Sequence, residues 1–167
     1  MTPEDFPTAS GGCRVCGCDL DPYDRHLQFQ LPDALLSLPQ AELLRRTAYE
    51  NGMLEVQGYG SFVRCLLRVT MTQDSTVTFG VWLAVHQVEF DRAYEIWDRP
   101  GYAELELFGS LANAVPPWGQ PLLGAAARAV VRDTDEPPWV VEGFTPLLDQ
   151  VLTGIWPHSE VLAGLPK

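Results

Sequence analysis

Between residues 62 and 85, apolar and polar positions alternate more strictly than anywhere else in the chain. In FVRCLLRVT, Cys65, Leu67 and Val69 share one parity, while Phe62, Arg64, Leu66, Arg68 and Thr70 share the other. Farther on, Val77, Phe79, Val81, Leu83 and Val85 fall on one face, with Thr78, Gly80, Trp82 and Ala84 opposite. A period of two is the signature of a strand, so each run predicts one strand. The polar residues 72–75 reverse the chain between them and make a hairpin. Cys65, Leu67 and Val69 are expected toward the core, and Arg64 and Arg68 toward a wetter face or an edge. Gly80 interrupts good strand formers, which marks either a bulge or a place where another group comes close. The period then lengthens: Phe90, Ala93, Tyr94 and Trp97 stand at i, i+3, i+4 and i+7 and predict a helix over 87–97.

Shorter signals flank this stretch. Residues 26–29 suit a brief strand, and Leu35, Leu36, Leu38, Leu43 and Leu44 suit two short helical pieces divided by Pro39. Asn51-Gly52 is a turn pair ahead of a short strand at 53–56. Alternation over 103–108 sets Glu104 and Glu106 against Ala103, Leu105 and Leu107, and small-residue and Trp-led strands are expected at 122–132 and 139–141. Thr145 and Pro146 read as N-cap and first-turn proline of a last helix. Residues 1–12 read as a flexible lead-in, with Pro3, Pro7 and the Gly11-Gly12 pair opposing regular structure, and 157–167 as a tail. The expectation is one α+β domain over 13–167, a mostly antiparallel sheet around a central hairpin with short helices on one face.

Charge narrows the function classes. The chain of 167 residues has 22 acidic against 11 basic residues, a formal net charge of -11, and its one Lys is the last residue. Phosphate backbones and anionic membrane surfaces are bound through clustered Lys and Arg, so neither nucleic acid nor a membrane is an expected partner. A basic protein drawn by long-range attraction is. No apolar run approaches the roughly 20 residues that span a bilayer, and the acidic start lacks the pattern of a secretory signal, so the expected compartment is the cytoplasm.

Candidate chemistry is sparse. Cys13, Cys16 and Cys18 form C-x-x-C-G-C, a spacing that lets thiolates grip one zinc around a Gly17 knuckle, with His26, Cys65 or His158 as fourth ligand. A closed set of protein ligands would make such a zinc structural. A redox dithiol and an unoccupied knuckle are the competing readings, and the sequence leaves all three open. His86, between the second hairpin strand and the helix, has Glu89 and Asp91 nearby as a general base would, and a capping or surface role competes. Gly58-Tyr59-Gly60-Ser61 begins two known motifs and completes neither, because Val63 stands where a third Gly belongs. Glu104 and Glu106 share a strand face, where a solvated edge explains them as well as an acid–base pair does. Trp118, Trp139 and Trp156 each stand near proline in loop or edge contexts and form the candidate binding surface.

The run FVRCLLRV, FGVWLAV, FDRAYEIWDRPG and LFGSLANAVP, over residues 62–116, resembles the bacterial "domain of unknown function 2199" family. That family shows an F-x-R-G-x-L strand, a W/F-G-V-W-V strand, an S-F-x-R-Y-x-E-L-W helix and a G-x-L-S-N-x-L-P loop in the same order. The C-x-x-C-G start is similar too. Cys65 replaces the pattern's Gly, and neither the His after C-x-x-C-G nor the His after the T-D pair is present, so no His role carries over. The resemblance implies a fold and a bacterial host and brings no activity with it.

The leading functional expectation is therefore a non-enzymatic, cytoplasmic protein-interaction domain, with a structural zinc knuckle as an added feature. An immunity-type protein that neutralises a basic toxin is its sharpest form. The competing class is a small hydrolase or metal-dependent enzyme built on His86.

Overall fold

Two long strands form the spine of the molecule. The computed structural model describes residues 24–165. In it β4 (Gly60–Met71) and β5 (Ser75–Val85) pair antiparallel without a break from Ser61↔Val85 to Met71↔Ser75. Around them lie β1 (Asp24–Gln28), α1 (Gln40–Arg46), β2 (Thr47–Glu50), β3 (Met53–Val56), α2 (Gln87–Ile96), β6 (Glu106–Leu111), β7 (Ala126–Val130), β8 (Trp139–Gly143), α3 (Pro146–Thr153), β9 (Ile155–Trp156) and α4 (His158–Ala163). Three short 3₁₀ turns complete the described chain.

The two spine strands are long enough to share their outer edges among several neighbours. β5 takes β1 along Thr76–Gly80 and β6 along Leu83–Val85. β4 takes β3 at Gly60–Val63, β8 at Leu66 and β9 at Thr70 and Met71. Because β6, β7 and β8 continue as an antiparallel run and β8 returns to β4, strands β5-β6-β7-β8-β4 close into a barrel. Closure pairs strand edges that an open sheet would leave bare. The α+β class and the sheet around the hairpin hold, and the sheet goes further than expected by closing into a barrel. β1 joins β5 in parallel, and β8 and β9 join β4 in parallel.

The barrel interior is the main core. Cys65, Leu67 and Val69 from β4 and Val77, Phe79, Val81 and Leu83 from β5 are fully buried there, as the alternation predicted. Thr145 caps α3 by accepting from the Leu148 N–H at 3.3 Å, which sets Leu148 and Val151 into the core. The residues expected to be a tail form α4 instead, and Val161 and Leu165 finish the same core. Burying each such side chain contributes about 1.5–3 kcal/mol.

The other face of the hairpin is covered as well. Phe62 and Trp82 pack with Leu35, Leu54, Val56 and Ala112 in a second cluster. Asn113, fully buried, fastens it: Oδ1 accepts the Trp82 N–H at 2.8 Å, and Nδ2 donates to the Leu31 carbonyl at 2.9 Å and to Asp33 at 3.0 Å. Arg64, expected on a wetter face, is 8% exposed. Its guanidinium lies 4.1 Å from the Trp82 ring centre and donates to the Gly80 carbonyl at 2.7 Å. Burial pulls that guanidinium down to about 10, still protonated at neutral pH. Gly80 is a close approach and not a bulge, since the register runs straight through it and a Cβ there would stand 3.2 Å from Gln28 Cγ.

Candidate functional site

With both faces of the spine covered, an open concavity lies beside it, between α2 and the β2–β3 hairpin. That hairpin turns tightly at Asn51-Gly52, both with positive φ (48° and 82°), and leaves Glu50 opposite Met53 and Ala48 opposite Glu55. Leu54 and Val56 point into the second cluster, so Ala48, Glu50, Met53 and Glu55 face α2.

Three connected compartments make one groove. The widest, about 680 Å³, is lined by Arg45, Arg46, Ala48, Glu55, Ser61 and Gln87 and by the Gly58–Gly60 turn. The middle one, about 300 Å³, shares Ala48 and Glu55 and adds Tyr49, Glu50, Met53, Phe90, Asp91 and Tyr94. The third, about 380 Å³, shares Glu50, Met53 and Tyr94 and ends at Trp97, Asp98 and Arg99. The Gly58 and Gly60 positions have φ of 85° and 119°, the left-handed region that glycine enters freely, and this explains the incomplete glycine motif as a turn.

The charges along the groove are not balanced. Arg45 and Arg46 both pair with Glu42, at 2.6 and 2.9 Å, which occupies them at the rim. Glu50, Glu55 and Asp91 stand together around the middle compartment, whose walls carry no basic residue. The Gln87 amide ties two of them by donating to Glu55 at 2.7 Å and to Asp91 at 2.9 Å, while its oxygen accepts from Ser61 at 2.8 Å. Tyr94 donates its hydroxyl to Glu50 at 2.7 Å, and that bond holds the phenol above its ordinary range. Its helical spacing with Phe90 and Ala93 pointed to the core, yet Tyr94 is 54% exposed and its ring stacks on Phe90 along the groove wall. Tyr49 is 64% exposed at the groove's outer lip.

The residues singled out from the sequence fall elsewhere. Trp139 is 6% exposed, with the guanidinium of Arg68 4.7 Å from its ring centre and that of Arg132 5.5 Å away. Trp118 and Trp156 are half-buried and meet edge to face at 5.0 Å, packed against the main core. The most exposed aromatic side chains are instead tyrosines and phenylalanines, Tyr49, Tyr94, Phe108 and Phe144 among them. His86 is exposed at the N-terminus of α2, and it is its neighbour Gln87 that enters the groove wall. Glu104 lies in a 3₁₀ turn and Glu106 begins β6, where it pairs with Arg128 at 2.9 Å; Arg128 also pairs with Glu142. The two carboxylates therefore do not share a strand face as an acid–base pair.

Cys13, Cys16 and Cys18, and the expected lead-in, lie outside the described residues. Of the fourth-ligand candidates, Cys65 is sealed in the barrel, and burial pushes its thiol up, against the thiolate a metal needs. His158 opens α4 with its backbone N–H on the Thr72 hydroxyl, and His26 is exposed on β1. No sequence signal pointed to the groove, because Glu50 and Glu55 stand well before Asp91 in the chain and only the fold brings them together.

The profile of one protein family, described as an uncharacterized protein conserved in bacteria (DUF2199), matches residues 12–154. The chain belongs to that family. No curated protein and no solved structure matches it.

Proposed function

We propose that this DUF2199 member is a cytoplasmic protein-interaction domain that receives a basic segment of a partner protein in the groove between α2 and the β2–β3 hairpin. The observation that carries the reading is the middle compartment, where three carboxylates and the rings of Tyr94 and Phe90 line a cleft without a basic residue. Arg and Lys side chains suit such walls, since the charge meets carboxylates and the stem lies along aromatic faces. The net charge of -11 draws a basic partner from a distance and speeds its encounter. A basic toxin held by an immunity-type protein is one partner of this class. The hydrolase reading has less support, because the groove wall offers an amide where it would need His86.

The test is selection of nine-residue peptides from a random display library on the full chain. Enrichment in Lys and Arg is expected, with affinity that falls at high salt and falls at least about tenfold in Glu50→Gln/Glu55→Gln/Asp91→Asn. Binders without positive charge, or binders indifferent to the triple substitution, would remove the reading.

A structural zinc on Cys13, Cys16 and Cys18 is the second part of the proposal, with the exposed His26 as the remaining ligand. Bound there, zinc would tether the Cys-rich start and leave no open position for water. Protein purified without added metal should carry about one zinc per chain. Less than about half a zinc, unchanged by Cys13→Ser, would sink this part.

A further inference from the structure

We infer that the basic segment binds as an extended strand added to the outer edge of β2, an inference that rests on the groove being the partner site. Among the described residues the sheet order ends at β2, which pairs with β3 alone. In an antiparallel pair the residues alternate between directing their N–H and C=O toward the partner and directing them away. The two-residue turn at Asn51-Gly52 makes Glu50 and Met53 a hydrogen-bonded pair, and the Gln57 N–H bonds the Arg46 carbonyl at 3.0 Å. Arg46, Ala48 and Glu50 therefore face β3 with their backbone groups, and Tyr49 presents its own outward.

Natural edge strands are commonly guarded by Pro, Lys or a bulge. β2 is short and carries Glu50, but it has no Pro, Lys or bulge, and Ala48, Tyr49 and Glu50 are exposed. The edge is also the rim of the groove, because Ala48 and Glu50 form part of the groove floor. A strand laid along that rim extends the floor by one strand, and its side chains alternate above and below it. Those above enter the groove beside Glu50, Asp91 and Tyr94, where a cation fits. Those below lie beside the Tyr49 ring, where an apolar residue fits. Strand addition thus specifies a pattern, Lys or Arg at every second position with apolar or aromatic residues between, that charge attraction alone does not require.

The test uses a peptide from the display selection, remade with backbone N-methyl groups at alternate residues in each of the two registers. N-methylation removes amide donors and leaves every charge in place. Strand addition predicts that one register weakens binding by about tenfold or more and the other barely changes it. If both methylated peptides bind like the parent, or both weaken equally, strand addition is overturned. In either case the triple substitution still reports on the groove by itself. Failure to select cationic peptides at all would instead bring down the groove reading beneath it.

Discussion

The β4–β5 hairpin pairs over eleven positions and is covered along both faces, whereas the β2–β3 hairpin pairs over four and buries only Leu54 and Val56 on one face and Met53 on the other. Both turn through residues with positive φ, Gln73 and Asp74 in the first and Asn51 and Gly52 in the second. What separates them is what stands opposite each face. When the barrel interior takes one side of the spine and the Trp82 cluster takes the other, even a cation such as Arg64 is drawn into packing. The shorter hairpin gives Leu54 and Val56 to that same cluster and Met53 to the main core, and leaves Glu50 and Glu55 to the groove. Stability in this molecule is concentrated in the first hairpin, and exposed chemistry in the second.

The hardest test of that division is Trp82→Ala. Trp82 is 1% exposed, and its indole N–H reaches the carbonyls of Phe29 and Gln30 at 3.2 and 3.3 Å. Its loss should cost about 3–5 kcal/mol in urea unfolding, a large part of the stability of an ordinary domain. Tyr94→Ala in the groove should stay within about 0.5 kcal/mol. A Tyr94 loss of the Trp82 size would erase the contrast.

Asn113→Ala comes next. It leaves the buried Trp82 N–H and the Leu31 carbonyl without the partner that side chain provides, at a cost of about 1–3 kcal/mol. Asn113→Asp keeps an acceptor for Trp82, loses the donor to Leu31 and sets a carboxylate against Asp33. It should be no better than the Ala variant at neutral pH in the same unfolding experiment.

These residues also show how far the sequence could be read. The spine was legible because both of its strands alternate and their parity is a local property; α2 and the Thr145 cap were legible for the same reason. Barrel closure was not, because it depends on β8 reaching β4 at Leu66 and on the β6–β7–β8 run between, contacts that no local pattern records. Arg64 was misread because a period-two pattern assigns a face and says nothing of what covers it; Gly80 and Trp82 make the pocket that accepts a guanidinium. β2 escaped notice because four residues of mixed polarity carry too little period, and with it went the groove. Tyr49 and Tyr94, whose phenol oxygens suit a wet lip, carried no separate signal in the sequence.

A pH experiment sharpens the spine side. Burial pushes the Cys65 thiol up, so the folded chain keeps it protonated while the unfolded chain ionises it near its ordinary value of 9.0. The stabilising contribution is fully present below that unfolded value and is lost as pH rises above it, because unfolding then releases a proton. Above about pH 9 this group alone should lower stability by about 1.4 kcal/mol per pH unit. Cys65→Ala should flatten that part of the slope, although it costs stability at every pH by opening space in the barrel. An unchanged slope would mean that other groups dominate the alkaline loss.

The smallest expected effect on the fold belongs to the residues that matter most for the proposed function. Glu50→Gln, Glu55→Gln and Asp91→Asn each remove a charge and keep the shape of the side chain, including an oxygen that can still accept from Tyr94 or from the Gln87 amide. Three carboxylates around one compartment repel one another, which offsets part of what their hydrogen bonds contribute. Each single change should therefore move the unfolding free energy by no more than about 0.5 kcal/mol in either direction, while peptide affinity falls. Losses above about 1 kcal/mol without a change in peptide binding would mean that these groups hold α2 against the hairpin. The groove would then be a seam of the fold, and the functional surface would have to be sought elsewhere. The exposed Phe108–Phe144 pair on the barrel wall, whose rings stack at 6.4 Å, would be the next place to look.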